Sequence, residues 1–105
     1  MLPMNNKSAD TKFDALAVPP PALEHGGYEV LRAAIANEQL HVSLRRAFDE
    51  PEVWGILLAD VVRHIGRIYA RDTSPREDEV VEKVCAMIEA EMARAPDVGA
   101  TNSIS

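Results

Sequence analysis

The strongest constraint on the fold is the stretch YEVLRAAIANEQLHVSLRRAF, residues 28–48, in which apolar and polar side chains alternate. A period of two is typical of strands with one buried face. With Asn37 and Glu38 as a two-residue loop, one face carries Leu31, Ala33, Ile35, Leu40, Val42 and Leu44. A one-residue shift would destroy this sorting, so the pattern predicts a β-hairpin in this register. Glu38 is unfavourable as the second residue of such a turn, so a longer loop remains an alternative prediction.

Two amphipathic helices are predicted after the hairpin, each with its own start signal. Asp49 has the position of an N-cap for the first helix, which should run to about Arg71. Ser74 has that position for the second helix, with Pro75 as its first helical residue. The apolar face of the first helix comprises Trp54, Leu57, Leu58, Val61, Val62, Ile65, Ile68 and Tyr69, and that of the second comprises Val80, Val81, Val84, Cys85, Ile88 and Met92.

The charges at the helix ends predict that the two helices lie antiparallel. Arginines at 63, 67 and 71 end the first helix, and acidic residues at 77–79 begin the second. Each group is favourable beside the local helix dipole. The predicted fold class is therefore α+β, a β-hairpin followed by two antiparallel helices (ββαα), with the sheet completed by dimerisation.

Composition divides the chain into three parts. Residues 1–27 include the proline-rich run AVPPPALEHGG and are predicted to form a largely disordered arm, with Pro19 to Pro21 as an extended spacer. Residues 28–95 form a single domain, and 96–105 a disordered tail. A domain of about 68 residues has a core that is only marginally sufficient, and a two-stranded hairpin has open edges. We therefore expect a homodimer.

The net charge of −6 over 105 residues excludes some partners. Binding to nucleic acid or to an anionic membrane surface rests on a basic footprint, which this chain lacks. No apolar run approaches the roughly 18 to 20 residues that span a bilayer, and the N-terminus has no apolar signal segment. The expected localisation is cytoplasmic. Cys85 is the one cysteine, so we expect no internal disulfide and a buried, unreactive thiol.

Candidate chemistry concentrates in ADVVRHIGRIYARD, residues 59–72. Asp60 and His64 are four residues apart, so they are neighbours on a helix surface, and an acid beside a histidine can orient a general base. The residues of a possible ligand or anion site are His41, Asp60, His64, Arg45, Arg63 and Arg67. The pattern favours a solvated helix face with internal ion pairs instead. We assign no catalytic residue, cofactor or metal site.

The stretches VPPPALE, EVLRAAIA, LHVSLRRAF and PEVWGILLADVVRHIGRIYA also resemble a small family of uncharacterised bacterial proteins. The resemblance covers about residues 18–70. It implies a stand-alone bacterial domain and transfers no functional residues, because the family has no assigned activity.

The sequence as a whole favours a non-enzymatic, small acidic interaction or accessory protein that is homodimeric. A protein partner that docks on the N-terminal arm is also possible. The alternative is a small-ligand or metal-binding protein with a site around His41, Asp60, His64 and the nearby arginines.

Overall fold

The computed structural model describes residues 12–94 and, for the backbone, 100–104. The chain divides into two compact units, one with the strands and one with the two long helices, and each is described by itself. The elements in chain order are α1 (Pro20–His25), β1 (Leu31–Ala36), β2 (Gln39–Arg45), α2 (Val53–Asp72), α3 (Glu77–Met92) and β3 (Ala100–Ile104). The predicted ββαα order is confirmed in β1, β2, α2 and α3.

The strands β1 and β2 form an antiparallel hairpin in the predicted register, in which Leu31 lies opposite Leu44. The loop consists of two residues, Asn37 and Glu38, with φ angles of 53° and 62°. Two successive positive φ values are what a type I′ turn requires, and this turn follows the twist of the strands. The alternative prediction of a longer loop is therefore wrong.

Glu38 occupies a backbone conformation that side chains disfavour. We expect Glu38→Gly to raise the free energy of unfolding by about 0.5–1 kcal/mol, because glycine relieves the steric cost of positive φ while losing more chain entropy on folding. Thermal and urea denaturation would measure the change. Glu38→Ala is the control, since it removes the charge and keeps Cβ. An equal gain in both variants would contradict the backbone explanation.

The strand β3 differs from the predicted disordered tail, 96–105. It pairs in parallel with β2, with Ala100 opposite His41 and Ile104 opposite Arg45, and the sheet order is β1-β2-β3. The segment ATNSI is mostly polar and has little strand signal of its own. Its pairing depends on backbone groups at the edge of β2, which is about 60 residues away in the sequence. A local pattern does not reveal a partner at that distance.

A short helix, α1, lies in the predicted disordered arm. Pro20 and Pro21 occupy its first turn, where proline's missing N–H has no helical partner to lose. The prediction of an extended spacer at Pro19 to Pro21 is therefore wrong for Pro20 and Pro21, which are helical. The backbone N–H of Gly26 closes the helix by donating to Ala22 O at 3.0 Å. Residues 1–11 of the predicted arm lie outside the described residues.

Both long helices begin later than predicted. The helix α2 starts at Val53 after a tight turn in which Val53 N donates to Glu50 O at 3.1 Å, so Asp49 is not its N-cap. Arg76, rather than Ser74, precedes α3, and the Glu79 carboxylate accepts a hydrogen bond from the Arg76 backbone N–H at 3.1 Å. This hydrogen bond satisfies one backbone donor at the helix start that would otherwise lack a partner.

The helices α2 and α3 pack closely at their connected ends. A Cβ added to Gly66 would lie 2.8 Å from Val81 Cγ2, so only glycine allows this approach. Val62 and Val80 are the buried apolar residues among those described. Arg67 Nε lies 3.8 Å from a Glu77 carboxylate oxygen, as the complementary charges of the two helices predicted. The antiparallel helix pair is confirmed.

Candidate functional site

The six candidate residues lie on two elements of different units. His41 and Arg45 are on β2, and the other four are on α2: Asp60, Arg63, His64 and Arg67. Because α2 is a continuous helix, the residues among these four that are three or four positions apart are neighbours on its surface, as predicted. The two groups are therefore described separately.

On α2, the carboxylate of Asp60 pairs with an arginine rather than with the histidine. Arg63 Nη1 donates to Asp60 Oδ1 at 3.2 Å, and both side chains are exposed. Arg67 Nη1 lies 3.2 Å from His64 Nδ1. Since a guanidinium only donates, this hydrogen bond requires Nδ1 to be the acceptor. Asp60 therefore does not orient His64 as the carboxylate beside a general base would.

On the sheet, the candidate side chains bond to the backbone of their own unit. His41 Nε2 lies 3.2 Å from the carbonyl oxygen of Ala36, which can only accept, so Nε2 carries the proton. Arg45 Nε donates to Glu29 O at 3.2 Å, and its guanidinium lies 5.1 Å from the centre of the Tyr28 ring. These contacts hold both side chains against the hairpin.

The connection between α2 and α3 carries further ion pairs on the surface. Arg71 donates to Asp72 at 2.8 Å, and this hydrogen bond lowers the pKa of Asp72. Arg76 donates to Asp78 at 3.1 Å and lowers the pKa of Asp78 in the same way. All four groups are exposed, so these shifts reflect local pairing in solvent rather than a desolvated reaction site.

The described contacts match the internal pairing that the sequence favoured for the arginines. In residues 12–94, no group of three His, Cys, Asp or Glu side chains is arranged to hold a metal ion. The ligand or anion site at His41, Asp60, His64, Arg45, Arg63 and Arg67 is untested by these contacts and stays a prediction. Within the same range, no helix is long and apolar enough to cross a bilayer.

An apolar surface lies on α3, and the apolar periodicity of the sequence did not predict that it is exposed. The second half of α3 exposes Met87, Ile88 and Met92, the last to 81%. With Val84 they line a shallow depression that Lys83 and Glu91 border. Cys85 is exposed as well, so the buried thiol predicted from the apolar stripe is wrong.

On α2, by contrast, the sequence did contain a signal for exposed apolar side chains, namely the width of its apolar face. The face of α2 contains eight large residues over 16 positions, which is more than one neighbouring helix covers. Accordingly, Leu58, Ile68 and Tyr69 remain about half exposed on α2. The fold thus defines a small α+β protein whose two long helices leave apolar side chains exposed among the described residues.

The comparisons with known proteins identify the family. Residues 15–95 match the family described as a domain of unknown function (DUF5076). This match covers most of the chain, so the protein belongs to that family. The predicted resemblance to an uncharacterised family is confirmed, and the matched range extends beyond residue 70 through α3.

One solved structure is similar over nearly the whole chain. It is named "a putative pyruvate dehydrogenase from the photosynthetic bacterium Rhodopseudomonas palustrus CGA009" and is 39% identical in sequence. The alignment covers 87% of this chain and 94% of that chain, with a TM-score of 0.69. No curated protein matches the chain.

Proposed function

We propose that this protein is a non-enzymatic interaction or accessory protein that acts as a homodimer in the bacterial cytoplasm. The observation that carries the proposal is the distribution of large apolar side chains. Fifteen of them are exposed in residues 12–94, whereas Val62 and Val80 are the buried apolar ones. Val84, Met87, Ile88 and Met92 are clustered on α3, and clustered exposed apolar side chains are typical of surfaces that bind partners.

The size of the buried core supports the same proposal. Each fully buried Val, Leu, Ile or Met side chain contributes about 1.5–3 kcal/mol relative to an exposed one. Two buried valines therefore supply only a small part of what a folded domain needs against its conformational entropy. Association of two copies would remove more apolar surface from water and stabilise the fold.

The name of the Rhodopseudomonas relative suggests a connection with pyruvate oxidation. Sites for cofactors and small substrates are usually concave and bury most of the ligand. The two depressions on the helical unit, one beside Arg63 and Arg76 and one beside Met87, are open to solvent. No polar side chain in residues 12–94 is buried. We therefore propose an accessory role rather than a catalytic one.

The proposal is tested by native mass spectrometry of the protein purified under mild conditions from its host. A dimer mass, alone or with a second protein, supports the proposal. A monomer at micromolar concentration contradicts it. A mass that carries a metal or a small anion also contradicts it and favours the alternative site around His41, Asp60 and His64.

A further inference from the structure

The hydrogen-bonding pattern of the hairpin determines which backbone groups of β1 face outward. Arg45 N donates to Val30 O at 3.0 Å, so these two residues form a hydrogen-bonded pair of the antiparallel ladder. Bonded and non-bonded pairs alternate along such a ladder. In the observed register the next bonded pairs are Arg32 with Ser43, Ala34 with His41, and Ala36 with Gln39.

The intervening residues of β1 direct their backbone groups away from β2. The N–H and C=O groups of Leu31, Ala33 and Ile35 therefore point to the outer side of β1. In the described sheet, whose order is β1-β2-β3, that side is an edge. Three donors and three acceptors thus form a row that is ready to pair with another strand.

This edge lacks the features by which proteins usually prevent strand pairing. The strand LRAAIA contains no proline and one charged residue, Arg32. The Arg32 guanidinium bonds to Glu29 at 3.0 Å and lies 5.4 Å from the centre of the Phe13 ring. Its charge is therefore engaged within its own unit. Lysines, prolines and bulges are the usual protection of an edge.

We propose that β1 pairs antiparallel with β1 of a second copy, about a two-fold axis at Ala33. This inference rests on the homodimer proposed above and assigns its interface. In this register, Leu31 of each copy lies opposite Ile35 of the other, and Ala33 lies opposite Ala33. All three outward residues then form hydrogen-bonded pairs, and each Ala33 N–H donates to the other Ala33 carbonyl.

Two neighbouring registers would also pair outward-facing residues of β1 with each other, but they are less favourable. An axis at Arg32 would place the two Arg32 side chains directly opposite each other, and like charges in that position destabilise a sheet. An axis at Ala34 would place Leu31 opposite the turn residue Asn37, whose φ is positive and not that of a strand. The axis at Ala33 instead places Arg32 opposite Ala34.

A second copy fits this edge better than an unrelated strand because the edge is complementary to itself. A two-fold interface uses the same patch on both subunits and is the commonest arrangement of homodimers. The pairing would join two three-stranded sheets into one of six strands, which is near the usual size. It would also bring Leu31 and Ile35 of both copies together on one apolar face.

Cysteine cross-linking tests the register. In a Cys85→Ser background, Ala33→Cys would place two thiols across the axis, with Cα atoms about 5.5 Å apart, within disulfide range. Ala34→Cys is the matched control, because its two copies would be about 7–8 Å apart. We expect about tenfold more disulfide-linked dimer from Ala33→Cys than from the control after mild oxidation. Preferential linking through Ala34 would overturn the register.

Proline substitution tests the interface itself. Ala33→Pro removes the N–H at the centre of the pairing and leaves the β1–β2 hydrogen bonds in place, since Ala33 does not bond to β2. We expect a monomer mass, the circular dichroism spectrum of a folded protein and a lower melting temperature, whereas Ala33→Ser should remain dimeric. A wild-type dimer that persists in Ala33→Pro would overturn the edge pairing and leave the proposed homodimer standing. A monomeric wild type would overturn both.

Discussion

Gly66→Ala is expected to lower the free energy of unfolding by about 1 kcal/mol, although alanine normally stabilises a helix. The new Cβ would lie 2.8 Å from Val81 Cγ2 and 3.2 Å from the backbone oxygen of Glu77. Overpacking of this kind costs about 1–3 kcal/mol, against a gain of about 1 kcal/mol from replacing glycine within a helix. The backbone oxygen belongs to α3 and moves only with that helix, so the steric cost should win.

Gly55→Ala is the matched control on the same helix. No atom outside the local helix lies within 4 Å of a Cβ added at Gly55, so the intrinsic preference for alanine should dominate. We expect a gain of about 0.5 kcal/mol, because Gly55 is in the first turn of α2. Urea denaturation followed by circular dichroism measures both variants. Equal stabilisation by both would show that α2 and α3 are not in close contact at Gly66.

Trp54→Ala is expected to lower the free energy of unfolding by about 3 kcal/mol, the lower end for a large aromatic residue, because Trp54 is only half-buried. Its indole packs edge-on against Phe48, with ring centroids 5.3 Å apart and planes at 76°. Such a pair adds about 0.5–1.5 kcal/mol beyond the area it buries. Trp54→Phe keeps an aromatic ring and should cost less than half as much.

A double-mutant cycle separates the aromatic contact from the rest of the loss. Phe48→Ala and Trp54→Ala should show a coupling energy of about 1 kcal/mol. Circular dichroism is the appropriate probe, because Trp54 is the one tryptophan in the chain and its fluorescence is lost in the variants. Additive losses would mean that the two rings contribute independently. A near-neutral Trp54→Ala would instead indicate an exposed site for a partner.

Local patterns predicted the hairpin better than the helix ends. The period-two alternation determined the register of β1 and β2, because a shift by one residue moves every side chain to the other face. Cap positions are less certain, because several polar residues compete for each helix start. Asp49 and Ser74 both have the chemistry of a cap, and the structure starts the helices after Glu50–Glu52 and Arg76 instead.

The sequence predicted which candidate residues are neighbours on α2, but not which of them form hydrogen bonds with each other. Helical spacing placed Asp60 within reach of both Arg63 and His64, and the structure resolves this choice in favour of Arg63. A charged partner gives the stronger hydrogen bond to a carboxylate. The same reasoning explains the ion pair between Glu29 and Arg32, which the spacing in the sequence does not by itself predict.

By itself, the sequence determined the elements and their polarity: a hairpin in one register, two amphipathic helices, and charges that favour antiparallel packing. These properties arise from neighbours within a few residues, where periodicity and charge act directly. The tertiary structure alone decided that β3 pairs with β2, that Gly66 lies against Val81, and that Cys85 and Met92 are exposed. An apolar stripe indicates that a side chain favours burial, but whether it is buried depends on an element that reaches it in space.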